Sequence, residues 1–112
     1  MICDGVKPVA IGGVMGGLNS EIQNDTEMIL LESAYFDPAS IRRTARALGM
    51  GTDAAFRFER GIDPEGLIPA LDRAAGLIAE LSGGAVCRGV IDQHPRIVRT
   101  AENIPLRLKR IR

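Results

Sequence analysis

The stretch that decides the fold is ESAYFDPASIRRTARALGMGTDAAFRFERG, residues 32–61. Asp37 stands directly before a proline, which is a common start of a helix with the aspartate as N-cap. Gly49 is placed to end that helix, because glycine adopts the left-handed conformation of a helix C-terminus at low cost. Thr52 then caps a second, shorter helix that Gly61 ends. The stretch therefore predicts two capped helices joined by a tight, glycine-flanked turn.

The first of these helices is predicted to have one apolar and one basic face. Its apolar residues, at helical spacing, are Ile41, Ala45 and Leu48. The arginines of the two helices allow two interpretations, a face that binds phosphate or ion pairs with neighbouring acids. These arginines are Arg42, Arg43, Arg46, Arg57 and Arg60, and the acids are Asp53, Glu59 and Asp63. Ion pairs are favoured, because Asp53 and Arg57 stand four residues apart, the spacing that also lets Phe56 contact Arg60.

A hairpin and a glycine-rich loop are predicted upstream. Apolar runs at residues 1–3 and 6–11 flank Asp4-Gly5, a pair typical of a two-residue hairpin turn. The loop GGVMGG, residues 12–17, has four glycines in six residues, which permits positive φ angles and close backbone approach. It lacks the Lys-Ser/Thr of a Walker A motif and the strand-to-helix setting of a dinucleotide-binding loop. It is either a structural turn or a loop whose backbone amides line a small pocket.

Glu32 is the carboxylate of an otherwise apolar segment. The segment Glu27 to Phe36 has the length and composition of a strand. The Glu32 side chain either lies on an exposed strand face or is buried, and a buried carboxylate must be paired or used, because an unpaired buried charge is costly. Recognition of a substrate hydroxyl or ammonium group would be a natural use for it.

The rest of the chain predicts one more helix and two strands. Asp63 precedes a proline and repeats the helix-start signal, and Pro69 either kinks the helix or moves its start to about Leu67. The apolar stripe of this helix comprises Leu67, Leu71, Ala74, Ile78 and Leu81, and residues 82–84 end it. Strands are predicted at 85–92 and 104–111. This order of elements predicts an α+β fold, a mixed β-sheet with helices packed on one side.

Composition limits the classes of function. The 112 residues fit one domain or part of one, and 14 lysines and arginines balance 14 acids, so net charge does not indicate nucleic acid. Basic residues do concentrate in 96–112. Two cysteines without ligand spacing argue against a disulfide framework or a zinc site and favour a reducing, intracellular compartment. The sequence shows no apolar run of about 20 residues and no signal peptide. His94 lies in a connector, and no Ser/His/Asp or Cys/His set has catalytic spacing.

Three strings together resemble a known family. GVMGG at 13–17, LLESAYFDPASIRRTARALG at 30–49 and TDAAFRFERGIDPEGLIPALDRAA at 52–75 are similar to the B3/B4 domain of the bacterial phenylalanyl-tRNA synthetase β subunit. The resemblance implies that residues 1–100 are the C-terminal part of a truncated B3/B4 domain and that 101–112 begin a B5-like module. Because the chain begins in a hairpin and ends on an unpaired alternating segment, we expect part of a longer protein.

The resemblance also implies a function. Members of the family join phenylalanine to its tRNA in the cytoplasm as an (αβ)2 heterotetramer, with ATP and magnesium bound in the α subunit. The B3/B4 domain hydrolyses tyrosine wrongly attached to that tRNA. The residues that match its editing pocket are Gly16, Glu32, Thr52 and Ala54: Glu32 is expected to recognise the tyrosine hydroxyl as a buried acceptor, and the other three to shape the pocket.

Several expectations concern this part of the β subunit alone. We expect it to hold no cofactor, metal or catalytic side chain, so that a positioned water would do the hydrolysis. Family members use TDAS where TDAA stands here, with Ala55 for serine, and a basic residue where Gly51 stands. The family pocket also uses a histidine from the first half of the domain, which His94 does not replace. We therefore expect half a pocket, little activity from the fragment alone and a tendency to self-associate through uncovered apolar surface. The alternative is a structural or RNA-binding scaffold without activity of its own.

Overall fold

A computed structural model describes residues 1–94, 105–107 and 109. The strands are β1 (Ile2–Cys3), β2 (Pro8–Ile11) and β3 (Met15–Gly16), and the α-helices are α1 (Pro38–Leu48), α2 (Asp53–Phe58) and α3 (Leu67–Ser82). Single turns of 3-10 helix occupy Leu18–Ser20 and Pro64–Gly66. None of the helices in the described part of the chain is both long and apolar enough to cross a membrane.

The three strands form one antiparallel sheet in the order β1-β2-β3. The hairpin between β1 and β2 is confirmed, but its loop holds four residues, 4–7, and the predicted two-residue turn is wrong. The reason is the Asp4 side chain, whose Oδ1 accepts the backbone N–H groups of Val6 and Lys7 at 2.9 Å each and so stabilises the wider loop. The same two bonds, that from Lys7 foremost, lower the pKa of the Asp4 carboxyl.

The predicted ends of α1 and α3 are confirmed, whereas α2 ends at Phe58, three residues before the predicted Gly61. The Asp37 side chain accepts the N–H of Ser40 at 2.7 Å at the start of α1, and Gly49 ends it with φ 65° in the left-handed region. Helix α3 starts at Leu67 and keeps Pro69 within its first turn, where a missing N–H leaves no intrahelical bond unmade.

The core joins the glycine-rich loop to the first two helices. Its buried members are Val14, Ile41, Ala45 and Ala55, which come from the β2–β3 turn, α1 and α2. Phe36 and Phe58 pack against them, edge to face, with ring centroids 5.0 Å apart. This small aliphatic cluster therefore fixes the position of the loop relative to the turn between α1 and α2.

The α+β class is confirmed, but the strand predictions downstream of β3 are not. The described strands pair antiparallel, so they do not form the mixed sheet that was predicted. Residues 27–36 and 85–92 contain no regular element, and Met28 and Leu30 are 88% and 94% exposed. A strand requires a neighbour to complete its hydrogen bonds, and neither segment pairs with a described strand. The strand predicted at 104–111 and the B5-like start at 101–112 lie largely outside the described residues.

Candidate functional site

Thr52 connects the glycine-rich loop to helix α2. Its hydroxyl donates a hydrogen bond of 2.6 Å to the carbonyl oxygen of Val14 and accepts the N–H of Ala55 at 3.1 Å. The first bond satisfies a backbone carbonyl of a residue that is only 2% exposed, and the second caps the helix. Thr52 is thus a positioning residue that sets the loop beside the start of α2.

The glycines of the loop differ in what a Cβ atom at each position would contact. A Cβ at Gly12 would lie 2.9 Å from Phe36 Cε1, and one at Gly13 would lie 2.7 Å from Ile41 Cδ1, with φ already at +68°. A Cβ at Gly17 would lie 2.5 Å from the Val9 carbonyl oxygen. Packing therefore requires these three.

Gly16 differs from its neighbours in the loop. A Cβ there would meet no atom within 4 Å, and the residue is exposed. Neither packing nor a positive φ demands glycine at this position. A side chain at residue 16 would occupy open space, so glycine here leaves room for something outside the fold.

All four residues that the resemblance implied for the pocket border one open cleft of about 900 Å³: Gly16, Glu32, Thr52 and Ala54. Its apolar lining includes Ile11, Val14, Met28, Phe36 and Phe58. An apolar concavity with a few polar groups is the usual form of a small-molecule site, and its wall suits an aromatic ring. Their role as an editing pocket stays a prediction.

Glu32 is exposed, which corrects the expectation of a buried carboxylate. The physical reason is that residues 27–36 form no strand, and Glu32 makes no ion pair or hydrogen bond with a described residue. The carboxylate therefore borders the cleft without a desolvation cost in this structure. Ala54 is likewise exposed, whereas Thr52 is half-buried.

The other candidate groups lie elsewhere. His94 Nδ1 stands 3.7 Å from Asp92 Oδ1, with both side chains about two-thirds exposed, and neither borders the cleft. Cys3 and Cys87 are exposed, free thiols. Within residues 1–94 and the few described beyond them, no three His, Cys, Asp or Glu side chains are grouped to hold a metal ion.

Among the described residues, one of the five arginines makes an ion pair. Arg60 pairs with Glu59 at 2.9 Å and lies 3.4 Å from the centroid of the Phe56 ring, which confirms the predicted Phe56–Arg60 contact. Asp53 and Arg57, both described, make no ion pair, so that prediction is wrong. Arg42 instead donates to the Glu59 carbonyl oxygen at 3.2 Å and ties α1 to the end of α2.

A second concavity was not foreseen from the sequence. It is a groove of about 330 Å³ between α1 and α2, and Thr52 separates it from the larger cleft. Arg46 and Phe56 border it, ten residues apart on different helices. The one sequence signal that could have indicated it is a phenylalanine on a six-residue helix whose buried residue is an alanine.

Comparison with known proteins places the chain in a family. The model of the B3/4 domain family matches residues 1–83. The chain belongs to the B3/4 domain family. This B3/4 chain is 71% identical over 111 residues to the phenylalanine–tRNA ligase beta subunit of Syntrophus aciditrophicus, an alignment that covers 99% of the chain and 14% of that relative.

Other relatives bear the same name. The phenylalanine–tRNA ligase beta subunits of Salinibacter ruber and Geobacter metallireducens are 58% and 60% identical over 95 residues, which is 85% of this B3/4 chain. These alignments cover 11% and 12% of the two relatives, so the chain spans only a small part of their length. The resemblance found from the sequence strings is confirmed.

Proposed function

We propose that this B3/4 chain acts within the β subunit of a phenylalanine–tRNA ligase and forms one wall of a site that hydrolyses mischarged Tyr-tRNA. The observation that carries the proposal is the meeting of Gly16, Glu32, Thr52 and Ala54 at one apolar cleft. The close relatives named as beta subunits of this ligase support the setting. In that setting the chain works in the cytoplasm with an α subunit, as an (αβ)2 heterotetramer that binds tRNA. The α subunit supplies the ATP and magnesium chemistry of the ligation.

The proposed selectivity depends on a single hydroxyl group. Tyrosine differs from phenylalanine by that group, and a hydrophobic pocket rejects an added hydroxyl by only about 10². A second site can instead bind the hydroxyl and so select tyrosine. The phenol O–H donates to the Glu32 carboxylate, a charge-assisted hydrogen bond worth about 1.5–3 kcal/mol. Phenylalanine would leave the desolvated carboxylate without a partner, so the correctly charged tRNA is spared.

The proposal includes that Glu32, exposed in this structure, is covered in the complete β subunit. Glu32 borders an open cleft in this structure, and the relatives are several times longer than the chain. Other parts of the β subunit then close the cleft over the tyrosine ring, which would strengthen the hydrogen bond by lowering the local dielectric. The glycine at position 16 also borders the cleft and leaves space for the substrate there.

The hydrolytic step needs only water at the ester carbonyl. The water oxygen bonds to that carbon, the ester bond to the terminal ribose breaks, and the departing ribose oxygen takes a proton. Among the described residues, the cleft has no histidine and no charge-relay set, and we assign no catalytic side chain to it. Positioning of ester and water accounts for the rate in this proposal.

The test uses a phenylalanine–tRNA ligase whose β subunit carries this sequence, assembled with its α subunit. Glu32→Ala should leave phenylalanine charging intact and let Tyr-tRNA accumulate. Glu27→Ala is the matched control, because Glu27 is an exposed carboxylate of the same segment that does not border the cleft. Deacylation of Tyr-tRNA by Glu32→Ala at the parent rate would remove Glu32 from the proposal.

A scaffold without activity is the second candidate. Thr52 favours it, since both hydrogen bonds of its hydroxyl stabilise the fold itself. A scaffold role predicts that Glu32→Ala and Glu27→Ala behave alike in deacylation. The assignment of residues 101–112 to a following B5-like module also belongs to the proposal.

A further inference from the structure

The groove between α1 and α2 is a neighbour of the cleft, and Thr52 borders both. Besides Thr52, its lining comprises Ala45, Arg46, residues 49–51, Ala55, Phe56 and Glu59. A Cβ at Gly49 or Gly51 would meet nothing within 4 Å, so the backbone of the turn is open to an approaching molecule. A molecule that extends beyond the cleft past Thr52 would lie in this groove.

Phe56 presents an aromatic surface that the core does not use. The residue is 58% exposed, and the buried residue of α2 is Ala55. The Arg60 guanidinium lies 3.4 Å from the Phe56 ring centroid and is held by the Phe56 carbonyl oxygen at 2.6 Å and Glu59 Oε1 at 2.9 Å. The ring and the guanidinium therefore form a fixed stack at the side of the groove. Exposed aromatic rings and arginine planes are the surfaces on which unpaired nucleobases stack.

The charge around the groove favours a polyanion. Residues 38–60 contain five arginines but only two acids, Asp53 and Glu59. Of these acids, Glu59 already binds Arg60. Arg46 borders the groove directly and makes no ion pair with any described residue. A planar, permanently charged guanidinium beside an open turn suits a phosphate group.

We propose that this groove holds the unpaired nucleotide that precedes the acylated terminal nucleotide of the tRNA, with its base against the Phe56–Arg60 stack and its phosphate near Arg46. The inference rests on the proposed function, because the acylated nucleotide is placed in the adjoining cleft. Thr52 then separates two subsites, one for the aminoacyl group and one for the preceding nucleotide.

The first test compares two substrates in the assembled ligase. Phe56→Ala should lower kcat/KM for deacylation of Tyr-tRNA by about 5- to 150-fold, the range that loss of one base–aromatic stack produces. Hydrolysis of 3′-O-tyrosyl-adenosine, which lacks the preceding nucleotide, should be unchanged. Phe56→Tyr should retain the parent rate on both substrates, whereas Phe56→Leu should behave like the alanine variant. Equal losses on both substrates, or no loss on either, would overturn the inference.

Arginine variants provide a matched comparison. Arg46→Ala should lower kcat/KM for Tyr-tRNA, mainly through KM, more than Arg43→Ala does. Both changes remove one charge from α1, but only Arg46 borders the groove. Equal effects of the two variants would show only a non-specific electrostatic attraction between α1 and the tRNA, and would count against a phosphate position in the groove.

A binding measurement separates this inference from the proposed function. Ligase is irradiated with tRNA that carries a 4-thio-pyrimidine next to its terminal nucleotide, and the cross-linked peptide is identified by mass spectrometry. Cross-links within residues 45–60 that Phe56→Ala abolishes support the groove even if no Tyr-tRNA is hydrolysed. Cross-links elsewhere, with normal hydrolysis, reject the groove and leave the proposed function standing.

Discussion

Replacement of Thr52 by valine is expected to loosen the junction between the glycine-rich loop and helix α2. Valine keeps the branched shape but removes the hydroxyl, whose oxygen accepts the Ala55 N–H and whose O–H donates to the Val14 carbonyl oxygen. Loss of a helix cap costs about 1 kcal/mol, and an unsatisfied carbonyl in a buried position costs about 1–3 kcal/mol. Together they lower the free energy of local opening by about 2–4 kcal/mol.

Hydrogen exchange measures this opening in the β subunit that carries the sequence. Because each 1.4 kcal/mol corresponds to a factor of ten, the amides of α2 should exchange about 30- to 700-fold faster in Thr52→Val than in the parent. Thr52→Ser retains the oxygen and should stay close to the parent. Unchanged exchange in Thr52→Val would refute the argument that this hydroxyl holds loop and helix together.

Three further outcomes are expected. Gly17→Ala should destabilise the domain by about 1–3 kcal/mol in urea denaturation, because its Cβ would lie 2.5 Å from the Val9 carbonyl oxygen, whereas Gly16→Ala should leave stability unchanged. Gly16→Ala should nevertheless slow deacylation of Tyr-tRNA, and a parent rate would show that position 16 does not face the substrate. The hairpin should lose the contribution of Asp4 as pH falls through the pKa of that carboxyl, which its bonds with the Lys7 and Val6 amides lower. This contribution is therefore complete at neutral pH and is lost only below the ordinary aspartate range, which a pH titration of the amide chemical shifts of Val6 and Lys7 would show. Asp4→Asn should abolish this transition. If the transition persisted in Asp4→Asn, another group would be responsible for it.

Local signals predicted the helices well. Asp37, Gly49 and the capping bond of Thr52 act on backbone groups within four residues, so these effects can be inferred without knowledge of the rest of the fold, whereas the bond from Thr52 to Val14 cannot. The same holds for the end of α3, where Gly83 has φ 68°. Asp4 shows the limit of such signals, because its side-chain bonds to two amides selected a longer turn than the Asp-Gly pair suggested.

Long-range contacts could not be predicted in the same way. The segment 27–36 has strand composition, but a strand exists only where a neighbouring strand completes its hydrogen bonds. The approach of Glu32 and Thr52 to one cleft, twenty residues apart, follows from the packing of Val14 against α1 and α2 and was expected only through the family resemblance. Likewise, no spacing rule joins Arg46 to Phe56 in the groove.

The most direct test of the account is the ratio of deacylation rates for Tyr-tRNA and Phe-tRNA in the assembled ligase, with Glu32→Ala, which removes the acceptor, compared with the parent. If the cleft recognises the tyrosine hydroxyl through the Glu32 carboxylate, the substitution lowers the Tyr-tRNA rate, leaves the Phe-tRNA rate low and brings the ratio close to one. A ratio equal to that of the parent would contradict the account, because the hydroxyl would then be recognised elsewhere.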